Sequence, residues 1–80
     1  MAHYADQFKG ARRVTAVSAT SRNRITRDWL VYHHADSGTY LVYGSAHEFK
    51  ARFDPWAECR SIADAAGWIR REVPKLRLAH

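Results

Sequence analysis

The chain has 80 residues and a single cysteine, Cys59. It can form no internal disulfide and has no Cys-x-x-Cys metal spacing. Secreted domains this small are usually stapled by several disulfides, so a reducing cytoplasm is the expected setting. Glycine is scarce too: four residues, isolated at 10, 38, 44 and 67, with no phosphate-cradling loop among them. Long apolar runs are missing. The clearest are Trp29-Leu30-Val31-Tyr32 and Tyr40-Leu41-Val42-Tyr43, far short of the roughly 18 residues of a membrane helix. The start of the chain carries no apolar stretch of signal-peptide type, so neither export nor a membrane is expected. With 46% hydrophobic and 26% charged residues the composition is that of a globular protein. Residues 1–80 are read as one domain.

Acidic residues are few where basic ones gather. Residues 1–27 hold six bases, Lys9, Arg12, Arg13, Arg22, Arg24 and Arg27, against Asp6 alone. Residues 28–72 hold five bases against seven acids, and residues 73–80 add Lys75 and Arg77. The net charge of +5 therefore resides at the two ends of the chain. This asymmetry suits a polyanion or an acidic protein face, or simply keeps a small domain soluble.

The hydrophobic pattern predicts an α+β fold. Tyr4 and Phe8, four apart, fit a short N-terminal helix ending at Gly10. Residues 13–20 are rich in β-branched side chains and read as a strand. Ser21-Arg22-Asn23-Arg24 is a polar turn. In the strand expected over residues 25–34, Ile25, Arg27, Trp29, Val31 and His33 share one face. Residues 35–38, with Asp36 and Gly38, form a hairpin turn into a return strand over 39–43. Residues 47–53 alternate as a half-buried strand, although Ser45 and Glu48 also fit a helix-capping box. Asp54-Pro55 reads as a helix start, with Trp56, Cys59, Ile62, Ala63, Ala66, Ile69 and Val73 in one stripe and Pro74 as the stop. Ser61 and Asp64 form a second capping box, so the helix starts at one or the other. The expected architecture is a three- or four-stranded antiparallel sheet with one C-terminal helix packed on one face.

Catalytic chemistry finds little footing. His33 and His34 are adjacent in a strand and point to opposite faces, and no HxxxH or HxH pair exists among the five histidines, so no metal site is expected. Cys59 lies on the apolar stripe, where a thiol is a small hydrophobe. No nucleophile elbow is present and the carboxylates are scattered. No catalytic residue, cofactor or small-molecule substrate is expected. Binding surfaces are better marked. Trp68 falls roughly 100° or more off the apolar stripe, with Arg60 and Arg71 nearby. It is either a partner anchor or covered by Tyr4, Phe8, Leu76 or Leu78. Arg12, Arg13, Arg22, Arg24 and Arg27 form a group able to contact phosphate or to be solvated. Tyr32, Tyr40 and Tyr43 either stack on bases or complete the core.

Trp29, Val31, Tyr32, Asp36, Gly38, Tyr40, Phe49, Ala65 and Trp68 resemble the pattern of the arm-type DNA-binding domains of phage integrases, over about 45 residues. That resemblance implies a sheet entering the major groove with Arg27, His33 and Lys50 as candidate readers, although here the second and third strands are apolar rather than basic. In its size, its sheet-and-helix pattern and its surface charge the chain also resembles small phage-encoded inhibitors, above all the anti-CRISPR proteins. Many of those are acidic DNA mimics, whereas a basic one is expected to dock on an acidic face or nucleoprotein groove of a CRISPR effector complex. The function expected from the sequence is thus a non-catalytic inhibitor in the cytoplasm, that of the host cell for a phage protein. It blocks nucleic-acid access through Arg12, Arg13, Arg22, Arg24, Arg27, Arg60, Trp68 and Arg71. A small basic DNA- or RNA-binding module is the alternative.

Overall fold

The computed structural model describes residues 10–79; the expected N-terminal helix lies outside them. Four strands, β1 (Arg12–Thr20), β2 (Thr26–His34), β3 (Thr39–Tyr43) and β4 (Ala57–Cys59), form one antiparallel sheet in the order β1-β2-β3-β4. Helix α1 (Ala46–Lys50) sits between β3 and β4, and α2 (Ile62–Glu72) follows β4 and runs into a 3-10 turn at Val73–Lys75. No helix among the described residues is long and apolar enough to cross a membrane.

The β2–β3 hairpin closes through Gly38, whose φ of +70° needs a residue without Cβ strain and whose N–H donates to the His34 carbonyl at 2.8 Å. The register aligns Leu30 with Tyr43, Val31 with Val42 and Tyr32 with Leu41. Consecutive apolar residues therefore face both ways. On one face Trp29, Val31 and Val42 are fully buried against Ala65, Ile69 and Val73 of the C-terminal helical segment. On the other, Leu30, Tyr32, Leu41 and Tyr43 pack with Ala11, Ala46 and Phe49. The tyrosines thus divide: Tyr32 and Tyr43 complete one core and Tyr40 flanks the other.

One element differs from the favoured reading of the sequence, and another decides between two starts the sequence offered. Residues 47–50, expected at the start of a strand over 47–53, lie instead in helix α1, in keeping with the Ser45 and Glu48 capping box. The Ser45 hydroxyl accepts from the Glu48 N–H at 3.3 Å, and Glu48 Oε1 accepts from the Gly44 N–H at 2.9 Å. Gly44 admits that carboxylate closely, since a Cβ there would lie 3.0 Å from Glu48 Oε2. One helical turn sets Ala46 and Phe49, three apart, on the same side. Phe49 then stacks on Tyr32 at 4.1 Å, whereas Phe53, expected in the same alternation, is 51% exposed.

Of the two starts expected for the C-terminal helix, the structure takes Ser61 and not Asp54. The Ser61 hydroxyl accepts from the Asp64 N–H at 3.0 Å. Trp56 and Cys59 are not on that helix; β4 pairs Ala57 with Val42 and Cys59 with Tyr40. The backbone of β3 would otherwise present unpaired groups, and pairing them outweighs extending a helix. The buried stripe shifts accordingly to Ala65, Ala66, Ile69 and Val73, leaving Ile62 and Ala63 exposed.

Ile69→Ala is expected to cost roughly 2–5 kcal/mol in urea unfolding, and Ile62→Ala, at an exposed site, within about 0.5 kcal/mol. The Tyr43 phenol is pushed up to about 12, first by burial and then by Asp54, Tyr32 and Glu48, with Arg52 opposing. Its folded value thus exceeds the ordinary value near 10. Its contribution is whole below about pH 10 and is lost as pH rises towards 12. Stability measured by urea unfolding should fall across that window. Tyr43→Phe should flatten the fall, with a neutral-pH cost of about 1 kcal/mol for the lost bond from the hydroxyl to the Phe53 carbonyl.

Candidate phosphate-binding surface

The turn joining β1 to β2 is built on Ser21, which is buried. Its hydroxyl accepts from the Ile25 N–H at 3.0 Å and donates to Asn23 Oδ1 at 2.7 Å. The Arg24 N–H donates to the Ser21 carbonyl at 3.0 Å, with Arg24 in the left-handed region at φ +65°. The C-terminal segment is clasped to this turn. Arg22 N–H donates to the Leu76 carbonyl at 2.8 Å, Asn23 Nδ2 donates to the Leu78 carbonyl at 2.7 Å, and the Leu78 N–H donates to Asn23 Oδ1 at 3.0 Å.

This clasp changes the charge map. Leu76 and Leu78 are half-buried against the α2-side core, so Arg77 between them is turned outward and exposed. Arg22 and Arg24 are exposed on the adjoining turn. Basic residues from opposite ends of the sequence therefore meet at one end of the sheet. None of these three guanidiniums has a carboxylate partner among the described residues. Arg27 lies close by in β2, half-buried and opposite Ala19 on the α2 face. Asp28, the next residue, points to the other face.

The remaining sequence candidates fall elsewhere. Arg12 pairs with His33 and Arg13 with Tyr32, at the far end of β1. Seven residues separate Arg13 from Thr20, a span of roughly 23 Å, so the arginine group expected as one surface is two. Arg60, Trp68 and Arg71 do come together, on the walls of an open cleft of about 350 Å³ between β4 and α2. Trp68 is half-buried there and packs on the core, its ring 6.4 Å from that of Trp29. It is a wall, not a projecting anchor. Glu58 and Asp64 share the cleft, and Arg71 Nε donates to Glu72 Oε2 at 3.0 Å. Positive and negative groups alternate, so the cleft is no polyanion site. Burial, reinforced by Asp64, pushes the Cys59 thiol up, away from the thiolate a nucleophile needs.

The three groove readers implied by the integrase resemblance do not share a surface. Arg27 and His33 lie on the α2 side of β2, while Lys50 belongs to α1, which covers the opposite side. No group of three metal-ligating side chains occurs among the described residues.

No family model, curated protein or solved structure matches this chain.

Sequence reasoning missed Arg77, although the Leu-Arg-Leu alternation signals an outward residue in an extended segment. It also missed Phe53 and Trp56, which are 51% and 42% exposed. Nothing in the local pattern separates those two from core aromatics.

Asn23→Ala removes the side chain that holds Leu78 and accepts from Ser21. It should cost roughly 1–3 kcal/mol. In hydrogen exchange the Leu78 amide should lose its protection while the amides of β2 and β3 keep theirs.

Proposed function

We propose that the protein is a non-catalytic docking module that grips the phosphate backbone of a nucleic acid, free or held in a nucleoprotein complex, through Arg22, Arg24 and Arg77, with Arg27 beside them. The observation that carries this reading is the clasp between the β1–β2 turn and the tail. It gathers three exposed guanidiniums, without carboxylate partners among the described residues, on hydrogen-bonded backbone. Arginine forks match phosphate oxygens, and a backbone fixed beforehand loses little entropy on binding.

The likeness to anti-CRISPR inhibitors extends this reading to a partner. A CRISPR effector holds a guide-RNA heteroduplex in a basic channel and recognises it through its backbone. A module that grips exposed phosphates of such a complex obstructs the nucleic acid's path by its bulk alone. The non-catalytic character is supported by the raised Cys59 thiol and by the mixed charge of the open cleft.

Fluorescence anisotropy with labelled oligonucleotides across a salt series tests the reading. Binding should weaken steeply with salt. Replacing Arg22, Arg24 and Arg77 together by Ala should reduce the log-log salt slope by about 2 to 3, at roughly 0.7–0.9 per phosphate contact. The Arg12→Ala, Arg13→Ala pair should change it less. Undetectable binding at low salt, both to oligonucleotides and to a guide-loaded effector complex, overturns the proposal.

A further inference from the structure

Phe53 and Trp56 are the two exposed large aromatics among the described residues, and both rise from tightly bonded backbone. The Phe53 N–H donates to the Glu48 carbonyl at 3.0 Å, and the Phe53 carbonyl accepts from the Tyr43 hydroxyl at 3.1 Å. The Trp56 N–H donates to the Val42 carbonyl at 2.8 Å. Its indole N–H donates to Glu48 Oε1 at 2.9 Å, and its ring meets Trp29 edge-on at 5.2 Å and 80°. The indole is therefore held from two sides, with its only donor satisfied internally. What it offers outward is π surface rather than a hydrogen bond. Arg52, in the left-handed region at φ +63°, turns the chain between α1 and this pair.

The register places Trp56 towards the arginine end of the sheet, and Phe53 precedes it by three residues in the same loop, its ring 6.2 Å from that of His47. β2 begins and β3 ends on the same side of the sheet, since Leu30 faces Tyr43 and Val42 faces Ala57. Trp29, which Trp56 touches, lies three residues into β2 from Thr26, roughly 10 Å along the strand. Beyond Thr26 stand Arg22 and Arg24.

From this arrangement we infer that Trp56 and Phe53 are a stacking platform for unpaired bases, so that the module takes single-stranded rather than duplex nucleic acid. The inference rests on the phosphate reading above: guanidiniums hold the backbone of a short strand while its bases lie on the aromatic rings. Bases in a duplex keep their faces stacked on one another and cannot reach such a platform. The cations at the same end favour a nucleic acid over an apolar protein patch as the occupant.

Anisotropy with a labelled single-stranded oligonucleotide and its duplex, at one low salt concentration, tests this. The wild-type protein should prefer the single strand. Trp56→Ala and Phe53→Ala should each weaken single-strand binding about tenfold, within the range of one stacked base, and leave duplex binding unchanged. Phe53→Ala is the control against misfolding, because that side chain is half exposed, and thermal melting of both variants checks the fold. The Arg22→Ala, Arg24→Ala, Arg77→Ala variant should weaken both ligands alike. Equal wild-type affinity for the two ligands, or aromatic variants that bind the single strand as well as the wild type, overturns the platform and leaves the phosphate reading standing. Folded aromatic variants that lose both ligands equally overturn it as well. No binding of either oligonucleotide by the wild-type protein overturns the platform, and the phosphate reading falls with it when a guide-loaded effector complex is not bound either.

Discussion

The central hairpin must be covered on both faces. Its strands read Trp-Leu-Val-Tyr and Tyr-Leu-Val-Tyr, and alternation sends apolar side chains each way. A strand pair of that kind cannot leave one face to water, as antiparallel sheets usually do. Helix α2 and the turn after it close one side through Ala65, Ile69 and Val73, and α1 with Phe49 closes the other. Leu76 and Leu78 extend the first cover as far as the β1–β2 turn. Most of the remaining architecture follows from that requirement.

The surface is a by-product of the same requirement. Sealing the core with an alternating Leu-Arg-Leu segment necessarily turns Arg77 outward beside Arg22 and Arg24. Covering the back face with one helical turn uses Phe49 and leaves no buried place for Phe53. Trp56 then fills the gap at the sheet's end with one side on Trp29 and the other in solvent. Charged and aromatic groups thus collect at one end of the molecule for reasons of packing. Docking can exploit that juxtaposition without a deep pocket, which a chain of this size has little interior to supply.

Much of the fold was legible because it rests on local signals. β-Branched residues marked β1, alternation marked β2 and β3, and Asp36 with Gly38 marked their turn. The α2 boundary was written in Ser61 and Asp64, and the α1 boundary in Ser45 and Glu48, but each competed with another pattern of similar strength. Residues 47–53 alternate well enough for a strand, and Asp54-Pro55 begins a helix as credibly as Ser61 does. What decided each case was a partner distant in sequence: Tyr32 and Tyr43 beneath Phe49, and the backbone edge of β3 beside Ala57.

Composition and local pattern by themselves determined a small α+β domain, its central hairpin, its final helix and a basic excess at both ends of the chain. These depend on neighbours a few residues apart, whose geometry the backbone sets. Only the tertiary structure decided that Arg77 joins Arg22 and Arg24, that Arg12 and Arg13 stand apart, and that Trp68 is packed inward while Trp56 reaches solvent. Those outcomes turn on hydrogen bonds between Asn23 and Leu78, 55 residues apart, and on how the Trp56 and Trp68 rings divide the space around Trp29. Periodicity along the chain carries no information about either.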